Sequence, residues 1–285
     1  SLYRAPLSVC VVSMLCSMSA GAVVIVPGSS VATTPSDALI ARWGGNASGV
    51  VISSEHILTT RHQGGGVGTT VNVDGTNYKV AEVTVIQDPD TPTNALDLRV
   101  ARLETLGGLT PTFTQTVSIY TGTDEVSMTL AIGGFGQGRG TAILSDETTT
   151  GYNWNGSEGT LRWGGNTITS TVADTVFGDP PDFTNDTVRA FFNEPGTGDA
   201  VNGEASIANG DSGGGWFYFD GSDWQLVALS QAVDNTNKAL FGEQIYALRV
   251  SSYATQINNA IPEPSTALLF MGACAGLAMR RRRRH

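Results

Sequence analysis

The chain has 285 residues, 16 of them basic and 26 acidic, for a net charge of −10, and 40% of it is hydrophobic. An acidic balance argues against a nucleic-acid partner, because phosphate recognition needs the opposite sign. Its three cysteines, Cys10, Cys16 and Cys274, sit near the two ends, so the long middle has neither a disulfide framework nor a zinc–thiolate centre, and no metal or cofactor is expected.

Residues 1–22 carry one charge, Arg4, then an apolar run from Val9 to Met18, and close on Ala20-Gly21-Ala22. This is the pattern of a secretory signal peptide with a small-residue cleavage site. The apolar run is short of the roughly 20 residues that span a bilayer. Residues 23–260, which lie between this segment and a distinct tail, hold ten basic and 25 acidic residues, a net charge of −15. Their length suits one large domain or two small ones.

Within that middle, short β-branched or alternating runs are separated by Gly, Asp, Asn and Thr clusters. Strands are expected at Gly49 to Ile52, Val80 to Ile86, Leu98 to Leu103, Ser127 to Ile132, Gly215 to Phe219 and Gln225 to Leu229. Asp74-Gly75, between Thr70–Val73 and Tyr78–Val80, reads as a hairpin turn. Thr148 to Glu204, rich in Gly, Thr, Asn and Asp, is expected to form long surface loops. Helical periodicity is clear once, where Val250, Tyr253, Ala254, Ile257 and Ala260 recur three and four apart. Many strands and one terminal helix predict an all-β barrel or sandwich.

Chemistry concentrates at Asn209-Gly210-Asp211-Ser212-Gly213-Gly214-Gly215. Flanking glycines allow a sharp turn that presents backbone N–H groups to a developing oxyanion, and Ser212 is the candidate nucleophile. The plain reading of the run alone is a glycine-rich turn. A serine hydroxyl needs a base, usually a histidine oriented by a buried carboxylate. His285 ends an arginine tail, which leaves His56 and His62, both upstream of Ser212. That order excludes the Gly-x-Ser-x-Gly elbow of α/β-hydrolases, whose histidine follows the serine. His62 stands at a strand exit before Gly64-Gly65-Gly66 and is the better base; His56, inside the strand approach, reads as structural or solvent-facing. Asp97, between Leu96 and Leu98, is the candidate orienting carboxylate, because a histidine N–H and backbone amides could satisfy it when buried. Asp88 and Asp90 are weaker candidates, since Asp88-Pro89-Asp90 looks like an exposed turn.

The order His62, Asp97, Ser212 resembles the trypsin-like serine proteases of the chymotrypsin fold. Thr59-Thr60-Arg61-His62 is similar to that family's histidine box, Asp97 to Leu103 to its aspartate segment, and Gly134-Phe135-Gly136 to its inter-barrel turn. Leu226 to Ser230 is similar to its substrate-binding strand. The resemblance covers about residues 40 to 260 and implies two six-stranded antiparallel β-barrels with a C-terminal helix, and a polypeptide substrate cut through an acyl-enzyme. It places Gly210 and Ser212 in the oxyanion hole, Ser206, Ser230 and Ala232 at the substrate, and Asp211 in an ion pair with a new N-terminus. Ser206 at the pocket base implies a neutral pocket that favours small or apolar side chains. Arg61 must then point to solvent if His62 is to pair with Asp97 undisturbed. Signal cleavage after Ala22 would expose Val23, 39 residues before His62, as that N-terminus. A catalytically silent binding module of the extracellular matrix is the competing expectation.

The tail, residues 261–285, reads Ile261-Pro262-Glu263-Pro264-Ser265-Thr266, an apolar run from Ala267 to Met279, then Arg280 to Arg284. As composition it is a membrane anchor with its arginines held on the cytoplasmic side. It closely resembles the PEP-CTERM sorting signal of Gram-negative bacteria. The resemblance implies an exosortase-type partner, inner-membrane association through residues 267–279, and export to the cell surface or matrix.

Overall fold

The structure is a computed structural model that describes residues 23–93, 95–156, 159–177 and 183–261. The signal-peptide and sorting-tail segments lie outside the described residues, apart from Ile261. Among the described residues no helix is long and apolar enough to cross a membrane.

The first half closes into a six-stranded barrel of Ile40–Trp43, Ala47–Val51, His56–Thr59, Thr70–Val73, Thr76–Val85 and Arg99–Thr105. Closure comes from Ala41 pairing with Val73. Asp74 and Gly75 form the expected tight hairpin, both at positive φ (47° and 77°), the geometry of a turn whose twist matches its strands. Alternation divides the labour of each strand. Val51, Ile57 and Ala101 point into the barrel with Trp43 and Leu103. Their neighbours Val50, Leu58 and Val100 point outward, onto Phe217, Leu229 and Leu248 of the second half. These strands are apolar on both faces because one face fills the barrel and the other forms the seam between the halves.

The second half is an eight-stranded sheet. Its path runs Arg162–Thr167, Thr129–Gly134, Gly215–Phe219, Trp224–Val233, Gln244–Arg249, Phe183–Phe191 and Ser170–Phe177, with Ser118–Ile119 beside Trp224–Val233. The first and last members of that path are separated in sequence by Ile168 and Thr169 alone, so together they act as one bent strand that brings the ends of the sheet together. Counting that bent strand once gives six members around the second core of Leu130, Ile132, Val188, Trp216, Val227 and Ala247. The expected terminal helix is a 3-10 turn, Ser251–Tyr253, running into an α-helix, Ala254–Asn259, that buries Tyr253, Ala254 and Ile257 against the seam.

The expectation of long loops from Thr148 to Glu204 is overturned. Strands Thr148–Asn155, Arg162–Thr167, Ser170–Phe177 and Phe183–Phe191 occupy most of it. In strand Arg162–Thr167 glycine marks close approach: a Cβ on Gly164 would lie 2.2 Å from the Cβ of Ala205. Thr148–Asn155 joins Gly138–Ser145 and Lys238–Leu240 in a separate three-stranded sheet.

Candidate active site

His62 leaves the first barrel three residues beyond Thr59, the end of strand His56–Thr59, and the loop beyond it is pinned from below. Arg99, only 4% exposed, donates to the carbonyls of Gly64 and Gly65 and lies 4.4 Å from the centre of the Trp43 ring. Burial draws the Arg99 guanidinium down to about 10, with Asp97 pulling the other way. Asp97 is completely buried, and so are its chain neighbours Leu96 and Leu98. Its carboxylate accepts from the backbone N–H of Arg61 (2.7 Å) and of His62 (2.8 Å), from His62 Nδ1 (2.6 Å) and from Gln231 Nε2 (2.9 Å). Four donors offset the cost of burying the charge. They also fix the imidazole tautomer, since an acceptor at Nδ1 places the proton there and leaves the Nε2 lone pair free.

That lone pair faces the second half, where Ser212 Oγ lies 2.7 Å from His62 Nε2. The serine turn is sharp for reasons found in its neighbours. Gly210 and Gly213 hold φ of 88° and 79°, and a Cβ on Gly213 would lie 2.3 Å from the carbonyl oxygen of Ser48. Ser48, from the first barrel, donates its N–H to the Ser212 carbonyl (2.9 Å) and its hydroxyl to that of Gly210 (3.2 Å). The N–H groups on either side of Ser212 are used internally: Asp211 donates to Ala208, Gly213 to Ser230. Those of Gly210 and Ser212 have no acceptor among the described residues. Gln137 N–H binds the Asn209 carbonyl (2.7 Å), which turns the opposite end of that peptide, the Gly210 N–H, the other way.

Asp211 is buried as fully as Asp97. Oδ1 accepts from Gly136 N–H (2.9 Å), and Oδ2 from Ala208 N–H (2.8 Å) and Val23 N–H (3.3 Å). Desolvation raises its carboxyl to about 7, opposed by those three amides and by Arg162. Gly134 and Gly136 are required beside it, because a Cβ on Gly134 would lie 2.3 Å from Asp211 Oδ1.

A cleft of about 310 Å³ opens beside His62 and Ser212, walled by Ile207, Ala208, Asn209, Gln231, Ala232, Val233, Trp154 and Thr236. The structure brings His62, Asp97, Ser212, the Gly210 and Ser212 amides, and Ala232 to one place. Ser206 and Ser230 are not among the residues that wall that cleft. Ser206 is buried and donates its hydroxyl to the Ile207 carbonyl; Ser230 is buried and accepts from Trp216 Nε1. Strand Trp224–Val233 carries a β-bulge: Ser230 pairs with Ala247 and Ala232 with Tyr246, so Gln231 is the extra residue and its side chain is re-aimed toward Asp97. Arg61 also departs from expectation. It is tied down, donating to the Leu96 carbonyl and lying over the Phe183 ring, and so does not extend freely into solvent. His56 is structural, 4% exposed with Nδ1 at 2.8 Å from Ser53 Oγ, and burial lowers its pKa. Asp88 is buried and accepts from the N–H groups of Asp90 and Thr91, so only the Asp90 end of that turn is exposed. Among the described residues no cluster could hold a metal.

No family model and no curated protein matches this sequence. Solved structures do match. Mouse brain neuropsin, a serine protease, aligns over 81% of this chain and 97% of its own at 17% identity, with a TM-score of 0.53. The chain has the trypsin-like fold. The inactive form of the Rv3671c protease of M. tuberculosis aligns over 78% of this chain and 89% of its own, at 14% identity and a TM-score of 0.47. His62 and Ser212 face each other across the seam between the two halves.

Gln231, Asn185, Ser48 and Trp154 escaped the sequence reading. Gln231 did leave a signal, since two consecutive polar residues, Ser230-Gln231, interrupt the apolar run from Leu226 to Val233 and mark a bulge. Asn185 left none, because one polar residue in an alternating strand is ordinary.

Proposed function

We propose that the domain is a serine endopeptidase. One observation carries this reading: the continuous chain Asp97–His62–Ser212, at 2.6 and 2.7 Å, ending beside two N–H groups without acceptors. Ser212 Oγ attacks the peptide carbonyl carbon while its proton passes to His62 Nε2. The carbonyl oxygen, now an oxyanion, accepts from the Gly210 and Ser212 amides. His62 returns the proton to the leaving amine, and the acyl-enzyme is hydrolysed by water activated at the same Nε2. Asp97 keeps its hydrogen bond to Nδ1 and stabilises the imidazolium. Ile207, Ala208, Ala232, Val233 and Trp154 give the cleft a neutral wall, which supports preference for a small or apolar side chain before the cut.

Activity rests on a free amine at Val23, created when the leader is removed. Val23 N already lies 3.3 Å from Asp211, Val23 is 1% exposed, and Val24 pairs with Ser206. Val23 also sits at φ 56°, a region β-branched residues resist. That torsion is defined by the carbonyl carbon of residue 22, so cutting the bond removes the restraint. Export by the signal peptide and retention by an exosortase-processed PEP-CTERM tail, with passing or anchored inner-membrane association, complete the reading.

A fluorophosphonate probe tests it. Labelling is expected on Ser212 in protein beginning at Val23 and is lost in Ser212→Ala. A protein of that N-terminus that never labels favours a silent binding module. A peptide library cut mainly after Arg or Lys refutes the neutral pocket.

A further inference from the structure

Asp97 belongs to the first barrel, yet two of the groups that hold it come from the second. Asn185, in strand Phe183–Phe191, accepts the Asp97 backbone N–H on Oδ1 at 2.8 Å. Gln231, in strand Trp224–Val233, donates Nε2 to Asp97 Oδ2 at 2.9 Å. Neither carboxamide can be turned over. An N–H requires an acceptor from Asn185, and a carboxylate requires a donor from Gln231. Each side chain therefore spends one polar atom on Asp97, and its other atom, Asn185 Nδ2 or Gln231 Oε1, is buried without a hydrogen-bond partner among the described residues. An unpaired buried polar atom costs stability, so an apolar side chain of Gln231's shape would suit the folded state at least as well.

We propose that Gln231 and Asn185 are positioning residues, retained at a cost to stability because they fix Asp97, and through it the orientation and basicity of His62. The inference rests on the hydrolase reading above. Gln231 caps the same carboxylate oxygen that receives His62 Nδ1, so it shares the negative charge the imidazole feels. Asn185 fixes the peptide on which that carboxylate is mounted, a second tie across the seam next to the Thr184 N–H to Ala95 carbonyl bond. The charged groups that act on Asp97 are His62 and Arg99, with Arg61 close by, all from the first half. From the second half, among the described residues, the two neutral carboxamides reach it; the neighbouring Asp186 is engaged by Ser252 Oγ at 2.6 Å.

The test measures fluorophosphonate labelling rate against pH, with melting temperature, for protein beginning at Val23. Gln231→Met keeps the shape, removes the orphaned oxygen and removes the cap. It is expected to melt no lower than wild type and to label about tenfold more slowly, the scale of a small misplacement of a reacting group. Asn185→Leu is expected to slow labelling by a similar factor. Gln231→Glu sets a second negative charge beside Asp97, favours the imidazolium, and is expected to move the acid limb of the profile up by about one pH unit. A Gln231→Met protein that labels within about twofold of wild type with an unmoved pH profile, or one that melts well below it, overturns the inference while leaving the hydrolase reading in place. A wild type that never labels removes the hydrolase reading itself.

Discussion

Two aspartates flank the serine turn, each with no exposed surface, and the fold treats them in opposite ways. Asp97 receives four donors, one of them an imidazole N–H that becomes cationic when His62 takes a proton. Asp211 receives three, all of them backbone amides. Donor number differs little. What differs is the donor set, and Asp211, with backbone amides and Arg162 set against complete desolvation, is pushed up to about 7. The comparison teaches that hydrogen bonds alone do not settle a buried carboxylate in its ionised form when desolvation is complete. It also marks where the proposed free amine would act: at Asp211, 3.3 Å from the backbone nitrogen of Val23.

Breaking the Asp97 side should have the larger effect. Asp97→Asn keeps the size but offers His62 Nδ1 an amide, which favours the wrong tautomer, and labelling or peptidase rate should fall about 10⁴-fold. Folding should survive, as judged by circular dichroism; a loss under about tenfold would mean that Asp97 only supports the loop. Asp211→Asn should cost less, about 100-fold, because it loosens the turn that carries the Gly210 and Ser212 amides without touching the reacting atoms. The same loss is expected when Val23 is acetylated or preceded by extra residues. Equal rates for acetylated and free Val23 would separate Asp211 from activation.

The asymmetry between the two sites was only partly legible in the sequence. Asp97, His62 and Ser212 stand in local patterns: a carboxylate between leucines, a histidine at a strand exit, a serine among glycines. Each pattern carries its own physical reason. The first barrel was legible because alternation and the Asp74-Gly75 turn act over a few residues. The second was less so, since its threonine- and glycine-rich strands depend on what they meet in space, as Gly164 does at Ala205. One bulged residue, Gln231, shifts the side chains of a strand by one position, and nothing in spacing from Ser212 reveals it. Asn185 reaches Asp97 across 88 positions, a contact no local pattern encodes.

The smallest expected effect is on stability, and it sharpens the comparison most directly. Where Val23 N is a peptide amide, Asp211 has a folded-state pKa of about 7 against its ordinary 3.8, so the folded state binds the proton more tightly than the unfolded one. Stability is then highest below the unfolded value and declines as pH rises from about 4 to 7, by at most about 4 kcal/mol. Glu204, also raised to about 7 by burial, contributes in the same direction, but it does so whatever the N-terminus and cancels in a comparison. With a free amine at Val23 the countercharge is supplied, the Asp211 pKa falls back, and its share of the decline disappears. The melting temperature of protein beginning at Val23 should therefore pull ahead of the acetylated form by several degrees between pH 5 and 7. The lead should shrink above about pH 8, where the α-amine loses its proton. A difference that stays constant across this range would show that the Val23 nitrogen never meets Asp211 as a charge, and Asp211 would then be held by its backbone amides and Arg162 alone.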